Sequence, residues 1–558
     1  MRSPILRAFS EEVDAGSSKE NATKQETRAA SRSLAIGSLS SLAAAVALAL
    51  GLAGAPAAAA DLTIGARTEL TMDPHIQWLD TNTAYYNHIY SALTRIDERS
   101  QIGPDLAESW RAATPTEIHF SLRRNAVFHD GTPVTARDVV ASFQRMRTIP
   151  NATSPYTGAI TSLQDIRAEG DHTVVVTTTR PDPALVYGLA YIAIIPAARA
   201  QATSEDFNTG RGVIGSGPYR FVSYAAGDRL VLERNPSYFG SAPRWDRVTF
   251  RFIPDDAARV AALLGGDVDL IDFVPPRLVE RIRAAPNAEL HTGPSDRPIY
   301  MIMDTERDDS PFVRDTAGRR MTRNPLKDRR VRQALSLAMD RSLMARRVME
   351  GTATPANQPT APHFAYFNRA LPAAEFNLAQ ARRLLTEAGY PNGFSLTIHC
   401  TNDRYVNDDR VCQAVGQMLA RVGIQVEVVA LPRTVFFPNA TNHGPEARYS
   451  FFMLGYASSG DAAQMPNTLH SFDRARRLGT WNLGHYSNPQ VDEAIQRGLE
   501  AATLEERYAA YSEAMRIAME DVALIPLYVQ SVVVATRRGL SFTTWANERT
   551  IADSAAPR

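Results

Sequence analysis

Between Phe394 and Leu431 the chain reads strand, helix, strand, and that order constrains the fold more than any other stretch. Phe394–Cys400 (FSLTIHC) and Ile424–Leu431 (IQVEVVAL) are short apolar runs with the composition of buried strands. A polar loop, Thr401–Asp408, and a helix from about Asp409 to Val422 separate them. Two strands joined by a helical crossover of this length lie parallel in one sheet. Tyr449–Leu454 (YSFFML) is a further apolar strand and a candidate for the same sheet. Open parallel sheets bind ligands beyond the carboxyl ends of their strands. Two loops leave such ends here, Asn402–Asn407 and Gly455–Asp461. The first offers Arg404, whose planar fork suits a carboxylate, together with Tyr405 and Asn407. The second offers Tyr456 as an aromatic wall. The alternative for Arg404 is a surface ion pair.

Composition narrows the function classes. A chain of 558 residues has room for two to four domain-sized units. Lys plus Arg and Asp plus Glu each number 60, so no global field favours nucleic acid or an anionic membrane. The eleven histidines and two cysteines show no metal-ligand spacing, and neither a metal nor a cofactor is expected. No G-x-S-x-G or H-E-x-x-H string supplies an activated nucleophile or a zinc site, which argues against an enzyme. Gly210-Arg-Gly212-Val-Ile-Gly215 matches a dinucleotide fingerprint by letter only. Pro218 and a strand-like Tyr219–Ser223 follow it, where the fingerprint needs a helix.

The amino terminus predicts export. Residues 1–33 are polar and poor in aromatics; Leu34–Ala55 is uncharged and rich in Ala and Leu, with Arg28 and Arg32 just before it. Ala58-Ala59-Ala60 then places small residues at a cleavage site before Asp61. This is the pattern of a cleavable signal peptide with a long polar lead, cut after Ala60. A single membrane anchor is the alternative. In an oxidising periplasm a bridge between Cys400 and Cys412 is plausible; two buried thiols are the other reading.

The block Gly103–Met146 combines a strand (Glu117–Leu122), a turn dipeptide (Asp130-Gly131) and a capping-box pattern, Thr135 to Asp138, before a helix. By residue type alone many α/β proteins contain such a block. As a literal string, it closely resembles the signature segment of the family 5 extracytoplasmic solute-binding proteins, the dipeptide, oligopeptide and nickel receptors of ABC importers. The matching pieces are Pro104-Asp-Leu-Ala-Glu-Ser-Trp110, Phe128-His-Asp-Gly-Thr-Pro133 and Thr135-Ala-Arg-Asp-Val-Val140. Further resembling strings are Ala92-Leu-Thr-Arg95, Pro325–Leu335, Tyr486-Ser-Asn-Pro489 and Ile525-Pro-Leu-Tyr528.

The resemblance implies an α/β fold of the periplasmic binding protein type II kind: two lobes, a hinge and an interlobe cleft, with an extra subdomain in lobe I. The expected division is a leader over 1–60, lobe I over 61–295 with an inserted subdomain at about 97–212, lobe II over 296–530, and a return to lobe I over 531–558. It also implies a monomeric periplasmic receptor that closes on a peptide or peptide-like solute and delivers it to ABC permease subunits. In relatives the loop holding Asp73 approaches the ligand; the alternative for Asp73 is a turn residue. Trp481 and Asn482 join the candidate ligand set from the string that precedes Tyr486.

One departure limits the ligand. Peptide-binding members carry Gly-Trp and then an Asp three residues after the Trp, which pairs with the peptide's α-ammonium. Aligned on Gly455, this chain has Tyr456 and Ser459 at those places. A hydroxyl cannot balance a buried ammonium; Asp461 is a candidate substitute. Sugars, opines, glutathione-like or blocked peptides and nickel chelates therefore stand beside free peptides as expected solutes. An exported hydrolase and a chaperone-like envelope protein are the rival classes.

Overall fold

The computed structural model describes residues 60–558, apart from 68–69, 78–79, 151, 153–155, 444–448, 458–459 and 461. The expected leader, up to residue 59, lies outside the described residues.

The architecture is mixed α/β. Among the described residues, twelve strands form one long sheet, and four more form a separate antiparallel sheet from Ala107–Thr114, Glu117–Leu122, Thr173–Thr178 and Leu163–Glu169. The long sheet has two wings. The first holds Asp61–Ala66 between Arg247–Phe252 and Leu270–Ile271, with Arg229–Arg234 and Tyr219–Ala225 continuing to the edge. The second holds Ser395–Thr401 flanked by parallel Gln425–Leu431 and Phe451–Gly455. The expected strand–helix–strand unit is there in register, Ser395 opposite Gln425 through Thr401 opposite Leu431, with the helix at Asp408–Ala420.

Two long antiparallel strands, Ala288–Met303 and Ile525–Arg537, join the wings. Residues 288–294 pair with 531–537; after a register shift between Pro294 and Pro298, residues 298–301 pair with 525–529. The closing segment Ile525–Arg537 is one continuous strand: Ser531 stays paired with Pro294, while Gln530 pairs with Ala353 of the short strand Ala353–Pro355.

Period-two alternation explains why the sheet is covered on both faces. Ile299, Met301 and Met303 enter one core with the helices Arg329–Leu337, Leu378–Glu387 and Asp408–Ala420. Tyr300 and Ile302 enter the opposite core with Pro489–Glu500 and Leu504–Glu520. In the first wing Val532 and Val534 face one core and Val533 and Ala535 the other. The four-stranded sheet closes its own core with the helix Ala136–Thr148.

Local chemistry sets the helix ends. Asp138 Oδ2 accepts from both the amide and the hydroxyl of Thr135 at 2.8 Å, and Oδ1 accepts from the Ala197 amide. Gly131 takes φ +86° at the predicted turn. Asp255 caps Asp256–Gly265, and Asn377 caps Leu378–Glu387. Tyr86, Ile89, Tyr90 and Leu93 keep helical spacing as far as Leu93, but the helix runs over Asp80–Ile89. It stops early because the Ile89 carbonyl accepts from the Gly217 amide and the Ala92 amide donates to Asp105. Cys400 and Cys412 are both buried free thiols, which corrects the bridge; Cys412 Sγ instead sits 3.9 Å from Met453 Sδ. No described helix is long and apolar enough to cross a membrane.

Candidate functional site

A cavity of about 800 Å³ lies between the four-stranded subdomain and the second wing. This volume suits a small organic solute. Its first wall comes from the chain after the strand Thr173–Thr178: Arg180, Asp182 and the helix Leu185–Leu189, followed by Tyr191. The second wall comes from the loop after Phe451–Gly455, from Asn467 and Trp481, and from Arg507 in the first turn of Leu504–Glu520.

The aromatic side is built from Tyr456 and Trp481, whose rings meet edge to face at 5.8 Å. Tyr456 Oη accepts from Asn467 Nδ2 at 3.1 Å, and the Trp481 amide donates to the Asn467 carbonyl at 2.8 Å. Asn467 thus fixes both rings from one short helix, Gln464–Thr468.

The polar side is dominated by arginine: Arg147, Arg180, Arg476, Arg477 and Arg507 against Asp182 and Asp296. Both acids are committed. Asp182 accepts from Ser162 Oγ at 2.7 Å and from the Ala184 amide, and meets Arg507 Nη1 at 3.4 Å. Asp296 accepts from Ser100 Oγ at 2.5 Å and His363 Nε2 at 2.6 Å. Burial pushes the Asp296 carboxyl above its ordinary range, although His363 and Ser100 oppose the rise. Arg507 is only 5% exposed. Its guanidinium lies 5.3 Å over the Tyr511 ring, and its buried Nε has no acceptor among the described residues.

The walls also touch. A Cβ on Gly460 would fall 2.5 Å from Tyr187 Cε1 and 2.6 Å from the Ser100 carbonyl oxygen. Glycine is what lets this loop approach so closely. Tyr508 Oη holds it by donating to the Gly460 carbonyl at 2.7 Å. Below the cavity, Glu548 accepts from Arg297 Nε and Nη2 at 3.1 Å and from Ser295 Oγ at 3.0 Å, within the register shift. Burial raises the Glu548 carboxyl, but Arg297 and Arg67 outweigh it and hold the group at about 2.

Of the residues singled out in the sequence, Tyr456 and Trp481 line this cavity. Ser459 and Asp461 lie outside the described residues. The others are placed elsewhere, each for a physical reason. Asp73 is fully buried in the first wing, where Arg145 grips it with two 2.8 Å bonds and Ser204 Oγ adds a third at 2.7 Å. Burial raises its carboxyl, but the Arg145 bonds prevail and hold it below the ordinary range. Neighbouring His75, pushed to about 4 by burial and by Arg145, bonds the Ala193 carbonyl through Nε2.

The Asn402–Asn407 loop folds back onto its own helix. Asp408 Oδ2 collects the Thr401 hydroxyl and the amides of Arg404 and Tyr405. Tyr405 is buried with its hydroxyl on the Gly455 carbonyl, and Asn407 Nδ2 donates to the Val348 carbonyl. The Arg404 guanidinium lies 5.2 Å over the Tyr405 ring, outside the cavity. Asn482 is a scaffold residue, its amide donating to the carbonyls of His470 and Tyr486. The cavity arginines went unread in the sequence. Arg507 meets Asp182 across 325 residues, and only the Pro-flanked Asp182 and the capping box at Thr503 marked their neighbourhoods.

The chain is similar to known proteins in sequence and in fold. The family model for bacterial extracellular solute-binding proteins, family 5 (middle), matches residues 101–478. The glutathione-binding protein GsiB of Escherichia coli (strain K12) is 26% identical over 475 residues, covering 84% of this chain and 89% of that protein. The solved structure of HbpA2 from Haemophilus parasuis aligns at TM-score 0.76 with 22% identity, over 89% of this chain and all of that one. DppA from Helicobacter pylori, solved with the peptide STSA, aligns at TM-score 0.69 with 21% identity, over 89% and 98% of the two chains. The fold is therefore that of the periplasmic binding proteins of type II. The chain belongs to the family 5 bacterial extracellular solute-binding proteins.

Proposed function

We propose that this protein is the periplasmic solute receptor of an ABC importer, exported through its amino-terminal leader and working as a monomer with permease subunits. It captures a peptide or peptide-like solute in the cavity between the subdomain and the second wing, without chemistry on it. The observation that carries this reading is that one cavity of about 800 Å³ draws its walls from both sides of a two-strand crossing. Residues 61–295 with 531–558 then form one lobe and 296–530 the other. The register shift at 294–298 is the hinge, and closure buries the solute. The glutathione-binding relative supports a peptide-like ligand with unusual linkage, in keeping with the missing Trp and Asp after Gly455.

The test is isothermal titration with a panel of dipeptides, oligopeptides, glutathione, opines and nickel chelates. A receptor binds one class in the micromolar range or tighter, and Tyr456→Ala or Trp481→Ala weakens it at least about tenfold with the thermal midpoint held. Turnover of any panel member, or affinity unmoved in both variants, contradicts the reading.

A further inference from the structure

We propose that the cavity selects a small anion carrying at least two carboxylates, gripped by Arg507 and Arg180 from opposite walls. This rests on the receptor reading and names its solute class. Among the described residues, five arginines and two aspartates line the space. Neither aspartate is available to a ligand ammonium: Asp182 is held by Ser162, Ala184 and Arg507, and Asp296 by Ser100 and His363.

The cations are the opposite case. Arg507 is buried, yet among the described residues its one ion pair is long, at 3.4 Å, and its Nε lacks an acceptor. A buried guanidinium with an unmet donor is costly until an anion meets it. A carboxylate docking on the free edge of the fork supplies two acceptors at once. Across the cavity, Arg180 has no ion pair or hydrogen bond among the described residues, and the same holds for Arg477 at the rim. The aromatic pair Tyr456–Trp481 gives the solute's uncharged middle a surface to lie on. A solute with one carboxylate and one ammonium leaves one wall unneutralised and finds no uncommitted acid among the described lining residues. A solute with two carboxylates satisfies both.

The experiment exposes the purified protein to a low-molecular-weight cell extract, removes unbound material by gel filtration, and identifies the retained solute by mass spectrometry. Titration of that solute follows, with the wild type, Arg180→Ala and Arg507→Lys, the last keeping charge but not the fork. The expected solute carries two or more carboxylates. Esterifying them abolishes binding, each variant raises Kd at least about tenfold, and Kd rises with added salt. A retained neutral or cationic solute, a phosphate ester without carboxylates, or an ester that binds as well as its acid overturns the proposal and leaves the receptor reading standing. Unchanged Kd in both variants overturns the assignment to these arginines. A wild type that retains no solute overturns the receptor reading as well.

Discussion

Asp73 shows how a charged residue in a plausible ligand loop can be consumed by the scaffold. Its carboxylate is spent on Arg145 and Ser204 in full burial. Removing one partner of such a pair strands the other, at a cost of about 3–5 kcal/mol. Asp73→Asn is therefore expected to lower the urea midpoint sharply while the folded fraction binds solute with wild-type affinity; weakened affinity in the folded protein would return Asp73 to the site. Glu548 gives the molecule an acid sensitivity with a definite direction. Its carboxyl sits at about 2 when folded against an ordinary 4.5, so its contribution is full above about 4.5 and is lost as pH falls toward 2. Glu548→Gln should flatten the drop in thermal midpoint between pH 5 and pH 3; parallel curves for variant and wild type would contradict this. Cys400 and Cys412 are buried thiols, and a reductant should leave the midpoint unchanged while denaturation exposes two alkylatable sulfurs. Neither the Asp73 pairing nor the thiol state was legible in the sequence. Arg145 lies 72 residues from Asp73, and spacing carries no information about such meetings.

Elements were more legible than residues, because their signals are local. The strand–helix–strand at Ser395–Leu431 could be read from apolar runs and a crossover length, and the caps at Asp255, Asn377 and Thr503 from one side chain each. The step from element to site is less direct. The rule that ligands sit beyond strand ends pointed to two loops of the second wing, and one of them, Asn402–Asn407, is tied down by Asp408. The other wall comes from a different sheet, which no local pattern in the second wing could reveal. Two substitutions test the element account. Met301→Ala empties a fully buried position on the joining strand and should cost about 2–5 kcal/mol. Thr503→Ala removes the cap of Leu504–Glu520 at about 1 kcal/mol, and it should also weaken solute binding because Arg507 stands in that first turn. A stability loss with affinity intact would detach the helix start from the site.

At the scale of the whole molecule, two paired strands are the structural link that matters. Ala288–Met303 and Ile525–Arg537 carry the chain between wings, and their register breaks where Ser295, Asp296 and Arg297 bond Glu548, Ser100 and His363. If the register shift is the proposed hinge, a bend there would move the walls apart and break the contacts of Gly460 with Tyr187 and of Arg507 with Asp182. Charge balance at 60 against 60 hides this arrangement, since the arginines that face the cavity are offset by acids elsewhere. Hydrogen–deuterium exchange with and without the retained solute tests the two-walled site most directly. Slowed exchange is expected in both 180–191 and 455–467, with 476–481 and the start of Leu504–Glu520 following, and no change around Asp73 or Arg404. Protection confined to one wall, or centred on the Asn402–Asn407 loop, would contradict it.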